Sequence, residues 1–211
     1  MSIIYYLCGR MLVRIYDKNP AERDIARITD VLEHDGVVVC PTGGVYAFCC
    51  SLRRPRAVAR LQSLCGKSAG ELSVIFADLA TAAEYCRIDN AAFRLLKRNL
   101  PGQFTFILPA SSRVPDKVME KRRTVGMRIP DSNVLRAIVK TLGAPLLSAS
   151  VHNPEGDDEE YVTDPSLIEE RYGHEADAVV DGGLGCNIPT TVVDLTGGEP
   201  EIIREGAGEL L

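Results

Sequence analysis

Four consecutive apolar residues, Val37-Val38-Val39-Cys40, constrain this chain more than any other stretch. The run lies between Gly36 and Pro41 and is rich in β-branched side chains, so it reads as a short strand. A strand whose side chains are apolar in both directions must be covered on both faces, which places it inside a layered sheet. The rest of the chain supplies the layers. Pro20 through His34 carries Ile25, Ile28, Val31 and Leu32 at helical spacing and stops at Gly36. Pro55 to Leu64 reads as a second helix. Asp89 caps a third, with Ala92, Phe93, Leu95 and Leu96 on its apolar face. Helices at about 132–142 and 165–172 come later in the chain. Between them fall strands at 12–16, 45–50, 72–76, 104–108, 124–129, 146–150, 178–180, 191–195 and 202–204. The expectation is a single α/β domain over residues 1–211, built around one large twisted mixed sheet flanked by helices. Residues 12–16 make a clean first strand after Met11, so residues 1–10 read as an optional extension.

Composition narrows the function classes. With 45% hydrophobic and 25% charged residues, the 211-residue chain has the make-up of one well-packed globular domain. No apolar run approaches the ~20 residues that cross a bilayer. The apolar start has no basic leader or small-residue cleavage site, which makes cytoplasm the default compartment. A net charge of −5 argues against a generally basic nucleic-acid coat. It leaves room for local basic clusters at Arg53-Arg54-Pro55-Arg56, Lys97-Arg98 and Lys121-Arg122-Arg123. The seven cysteines show no C-x-x-C spacing, and the reading is reduced core thiols rather than a metal site. Cys49 and Cys50 should point to opposite faces of one strand.

Familiar catalytic motifs fail in detail. Gly66-Lys67-Ser68 lacks the earlier glycine and preceding strand of a phosphate-binding loop, and strand rather than helix comes after Gly182-Gly183-x-Gly185. His34, His152 and His174 read as surface residues, and Asp157-Asp158-Glu159-Glu160 as a solvated loop. More informative are polar residues at strand ends: Thr42, Thr105, Arg128, Ser148, Ser150, Thr190, Thr191 and Arg204. An unpaired buried polar group costs ~1–3 kcal/mol, so each needs a partner. Two readings stay open, local satisfaction by backbone or a shared polar cleft whose guanidiniums suit phosphate or carboxylate.

The same residues carry a resemblance. In order, Pro41-Thr-Gly-Gly-Val-Tyr46, Pro101-Gly-Gln-Phe-Thr105-Phe-Ile-Leu-Pro109, Thr124-Val-Gly-Met-Arg128-Ile-Pro130, Leu147-Ser-Ala-Ser150, Pro189-Thr-Thr-Val-Val-Asp-Leu195 and Arg204-Glu-Gly206 are similar to the YrdC/YciO family of threonylcarbamoyl-adenylate synthases. The resemblance implies a YrdC/RibB-like sheet with an open concave cleft. It implies formation of threonylcarbamoyl-AMP from L-threonine, bicarbonate and ATP with Mg2+, serving a tRNA modification. Carried over by motif, Thr42, Tyr46, Thr105 and Arg128 would bind threonine. Lys67, Ser148, Ser150, Thr190 and Arg204 would face the nucleotide. Two departures point to the YciO branch. The Lys-x-Arg pair of the synthases is reduced here to Lys67, and Ser-Ala-Asn becomes Ser148-Ala149-Ser150. The alternative is a protein of the same fold that binds double-stranded RNA or tRNA without synthase activity.

Overall fold

The computed structural model describes residues 11–66, 72–119, 123–151 and 160–211. Strand and helix alternate along most of the chain. It opens with β1 (Leu12–Arg14), α1 (Glu22–Glu33), β2 (Val37–Cys40), β3 (Ala47–Ser51), α2 (Pro55–Cys65) and β4 (Ser73–Ile75). Two helices, α3 (Leu79–Tyr85) and α4 (Asn90–Asn99), then precede β5 (Phe104–Pro109) and β6 (Thr124–Arg128). The remainder is α5 (Asn133–Leu142), β7 (Leu146–Ser150), α6 (Glu160–Thr163), α7 (Pro165–Tyr172), β8 (Ala178–Asp181), β9 (Thr191–Asp194) and β10 (Glu201–Arg204). The described strands form one ten-stranded mixed sheet in the order β1-β8-β2-β3-β7-β4-β6-β5-β9-β10.

Both faces of β8, β2 and β3 are covered, as the run at 37–40 requires. Val38 and Cys40 of β2 face α1 and α5 in a cluster with Ile25, Ile28, Leu32, Leu135 and Ile138. Val37 and Val39 face the opposite layer with Val58 and Leu61 of α2, Leu96 of α4 and Ile168 of α7. Cys49 and Cys50 divide in the same way, one into each cluster. Each fully buried Ile or Leu in these layers contributes ~1.5–3 kcal/mol of transfer free energy.

Helix ends obey their local chemistry. The Ser132 hydroxyl accepts the Leu135 N–H at the start of α5, and Gly143 closes the helix at φ 62°. Asp89 caps α4 by accepting from the Ala92 N–H. Helix α3 has no counterpart among the helices expected from the sequence. Its seven residues, Leu-Ala-Thr-Ala-Ala-Glu-Tyr, bury only Ala82 and Tyr85, too little for a periodic stripe, although Asp78 caps it. The first strand is shorter than the 12–16 expected, though the Ile15 N–H still reaches the Asp181 carbonyl.

The right half of the sheet positions the site. Strand β5 alternates buried Phe104, Phe106 and Leu108 with partly exposed Thr105, Ile107 and Pro109. Strand β9 alternates in phase, and Gly126 of β6 and Ser73 of β4 are partly exposed as well. Buried members face the layer of α2, α4 and α7. The others lie on the face that α1 and α5 cover further left, and past β4 that face is open.

Candidate functional site

Strand register collects polar groups on this open face. Ser148 of β7 pairs with Ser73 of β4, Ser73 with Gly126 of β6, and Gly126 with Ile107 of β5. One step along the strands, Thr105 pairs with Val192 and Val192 with Arg204. Arg128 comes directly after Met127, the partner of Phe106, and so is level with Thr105. At Gly126 a Cβ would stand 3.1 Å from the Thr105 methyl and 3.5 Å from the Ser73 Cβ, so glycine keeps the floor between them clear.

Hydrogen bonds tie these residues into pairs. Ser73 and Ser148 hydroxyls lie 2.9 Å apart, and Ser148 also donates to the Ser73 carbonyl at 3.1 Å. Thr105 and Thr190 hydroxyls lie 2.9 Å apart. Arg204 donates from Nε and Nη2 to the Thr190 carbonyl, at 3.3 and 2.9 Å, with Nη2 3.5 Å from the Thr190 hydroxyl. The register shifts between Ile202 and Arg204, and this irregularity in the edge strand turns Arg204 onto the face that holds Thr105 and Thr190.

Arg128 is the unusual member. Its side chain is buried, and Nη2 donates to the Thr42 hydroxyl at 3.1 Å. Buried Nε has no partner, and no carboxylate neutralises the guanidinium among the described residues. Burial, with a smaller push from nearby Arg204, pulls its pKa down to about 10. Thr42 lies just beyond β2, and β3, β7 and β4 separate β2 from β6. An arginine cannot bridge that span across a flat sheet at ~4.8 Å per strand, so the sheet must curl and bring the Thr42 loop over the open face.

That loop is built from backbone. Thr42 donates to the Val45 carbonyl at 2.8 Å, closing the turn while its oxygen receives Arg128. Gly43 has φ 74°, a conformation that favours glycine, and a Cβ there would lie 2.7 Å from the Asp131 carbonyl. Gln103 Nε2 donates to the Gly43 carbonyl, fastening the loop to the start of β5, while Gln103 Oε1 is buried without a partner. Tyr46 is fully buried. Its hydroxyl donates to the Gly183 carbonyl at 2.7 Å and accepts from the Gly182 N–H at 3.2 Å. Burial pushes its pKa well above the ordinary tyrosine value. Pro41, Gly44, Tyr46, Asp131 and Gly183 help to line a cavity of about 290 Å³.

The structure thus brings Thr42 together with Arg128, Thr105 with Thr190, and Thr190 with Arg204. Ser148 sits on the same face against Ser73, and Ser150 lies exposed at the end of β7. Tyr46 supports the loop from below, its hydroxyl occupied by the 182–183 backbone. Lys67 lies outside the described residues, as do His152, Lys121, Arg122 and Asp157 to Glu159. Sequence reasoning did not single out Ser73, Gln103 or Gly126. Polarity within Leu72-Ser73-Val74 could have flagged Ser73, but Gln103 matters through a contact with residue 43 that no local pattern announces. Among the described residues no three His, Cys, Asp or Glu side chains converge as a metal site would need.

Known proteins share this fold over most of the chain. YciO of Escherichia coli is 36% identical over 198 residues, covering 93% of this chain and 95% of its own. Its crystal structure superposes with a TM-score of 0.88 at 34% identity, over 95% of this chain and 98% of that one. The threonylcarbamoyl-AMP synthase of Thiobacillus denitrificans is 30% identical over 180 residues, or 80% of this chain and 89% of its own. P. abyssi Sua5 complexed with L-threonine shares the fold at a TM-score of 0.84 and 23% identity, over 93% of this chain and 57% of Sua5. The Sua5/YciO/YrdC family model, described as "Telomere recombination", matches residues 30–206. The chain therefore belongs to the Sua5/YciO/YrdC family.

Proposed function

We propose that the open face binds L-threonine and ATP and joins them, with bicarbonate, as threonylcarbamoyl-adenylate. The observation that carries the reading is Arg128. A buried guanidinium held by a hydroxyl, with an unpaired Nε, is costly unless an anion completes it. A carboxylate or a phosphate fits that need, and threonine and ATP supply one each. The synthase of T. denitrificans and the threonine-bound Sua5 of P. abyssi make this pair of ligands the economical choice.

In the proposed reaction the threonine amine adds to bicarbonate and water leaves, giving a carbamate. A carbamate oxygen attacks the α-phosphorus of ATP, and pyrophosphate departs with the Mg2+ that ATP brings. The protein forms no bond to substrate, so orientation and charge stabilisation are its whole contribution. Arg128 and Thr42 hold the threonine carboxylate beside Thr105. Arg204, fixed on Thr190, faces the phosphates, with Ser148 and Ser150 on the nucleotide side. With Lys67 as the only remnant of the Lys-x-Arg pair, the reaction is expected to be slow.

Pyrophosphate release from ATP, measured with and without L-threonine and bicarbonate, tests the proposal. Release should require both co-substrates and fall to background in Thr42→Ala and Arg128→Ala. Turnover no greater than in those variants would sink it. A second reading, structured-RNA binding, is favoured by Arg53, Arg54, Arg56, Lys97 and Arg98. All are exposed, and none has an acidic partner among the described residues. Its mark is affinity for double-stranded RNA or tRNA that falls steeply with salt.

A further inference from the structure

Arg204 occupies an insecure place for a residue that must face a ligand. Strand β10 has four exposed residues, its register is irregular, and on its outer side it has no neighbour among the described strands. Such edges open first. The segment just beyond Arg204 is anchored far more firmly than the strand itself. The hydroxyl of Thr191, a residue only 2% exposed, accepts from the Gly206 N–H at 3.0 Å and the Gly208 N–H at 3.1 Å, and donates to the Gly208 carbonyl at 2.6 Å. One donor and two acceptor sites exhaust what a hydroxyl can do. The Ala207 N–H adds a bond to the Pro189 carbonyl at 2.9 Å. At the far end the Leu211 N–H donates to Asn99 Oδ1 at 2.9 Å.

The segment is shaped for this seat. A Cβ on Gly206 would lie 2.3 Å from the Pro189 carbonyl oxygen, and one on Gly208 would lie 2.7 Å from the Phe104 ring. Only bare backbone can lie so close to the start of β9. Thr190 and Thr191 then divide the work. Thr190 receives the Arg204 guanidinium on the open face through its carbonyl and hydroxyl, while Thr191, pointing the other way, holds the backbone two residues beyond Arg204.

We propose that Thr191 is a positioning residue: by clamping Gly206 and Gly208 from the buried face, it fixes Arg204 where it meets the nucleotide. The clamp is a matter of geometry, and its effect on ATP rests on the function proposed above. Two measurements separate the claims. The first is exchange of the Arg204 Nε–H with water, monitored by 15N-edited NMR in the free protein. Exchange should quicken in Thr191→Val, which keeps shape and loses the hydroxyl, and stay near wild type in Thr191→Ser. Exchange unchanged in Thr191→Val would overturn the clamp whatever the protein binds. The second is calorimetric titration with ATP and with L-threonine. Thr191→Val should weaken ATP about tenfold and leave L-threonine unaltered, with no additional loss in an Arg204→Ala background. Equal weakening of both ligands, or the same loss on top of Arg204→Ala, would show a general structural role and refute positioning. A wild-type protein that binds no ATP would refute the nucleotide role of Arg204, with the NMR result still deciding the clamp. Gly206→Ala attacks the same seat by a different route and should reproduce the Thr191→Val pattern.

Discussion

Arg128 and Tyr46 are both buried next to the residue 41–45 loop, and they are satisfied very differently. Tyr46 commits its hydroxyl to two backbone partners, Gly182 and Gly183. Tyr46→Phe leaves both groups short of a partner and should cost ~1–3 kcal/mol, read from the denaturant midpoint at pH 7. The pH dependence has a definite sign. Burial raises the Tyr46 pKa above its ordinary value of 10, so the neutral phenol is favoured by folding. Its contribution is fully present below pH 10 and is lost as pH rises beyond that. Tyr46→Phe should therefore lose less stability than wild type between pH 10 and 11. Arg128 moves the other way, since its pKa is pulled down to about 10 and its charged form is a cost to folding at neutral pH. That contribution is common to wild type and Tyr46→Phe and cancels in the comparison.

At the scale of elements, the open face depends on what β4, β5 and β6 leave unfilled. Gly126→Val suits a strand by propensity, yet its branched side chain would occupy the floor between Thr105 and Ser73. It should fold and lose L-threonine binding by titration calorimetry. Behind the face, α5 depends on Ser132, whose hydroxyl caps Leu135 and also donates to Asp17 at 3.2 Å. Ser132→Ala should lower stability by ~1 kcal/mol on thermal melting. Elements with strong periodicity are legible in the sequence: α5 is expected at 132–142 and found at 133–142, and α7 matches its expected bounds. Helix α3 is not, because its alanines carry no stripe. The site is legible where polarity interrupts an apolar strand, as at Thr105, Ser148 and Arg128. Partnership is not legible. Nothing local to residue 42 announces Arg128, and nothing local to residue 103 announces Gly43, because both contacts depend on how far the sheet curls.

For the whole molecule, the two apolar layers and the single sheet predict a gradient of stability. Amides of β2, β3 and β7, central in the sheet and almost entirely buried, should exchange most slowly with deuterium, and those of β10 should be among the fastest. Gly206 and Gly208, bonded to Thr191, should exchange more slowly than the strand that precedes them. No helix among the described residues is long and apolar enough to cross a membrane. The sheet thus serves as a scaffold in which β8, β2 and β3 are sealed on both faces and the right half carries an uncompensated cation. On the proposed function, protein stability is given up for an anion site. Thermal melting of wild type and Arg128→Met, each alone and with L-threonine and ATP, tests that claim most directly. Arg128→Met should melt higher than wild type when free of ligand and show no shift when ligands are added, while wild type is stabilised by them. A variant that melts lower than wild type when free, or that ligands stabilise as strongly, would contradict the account.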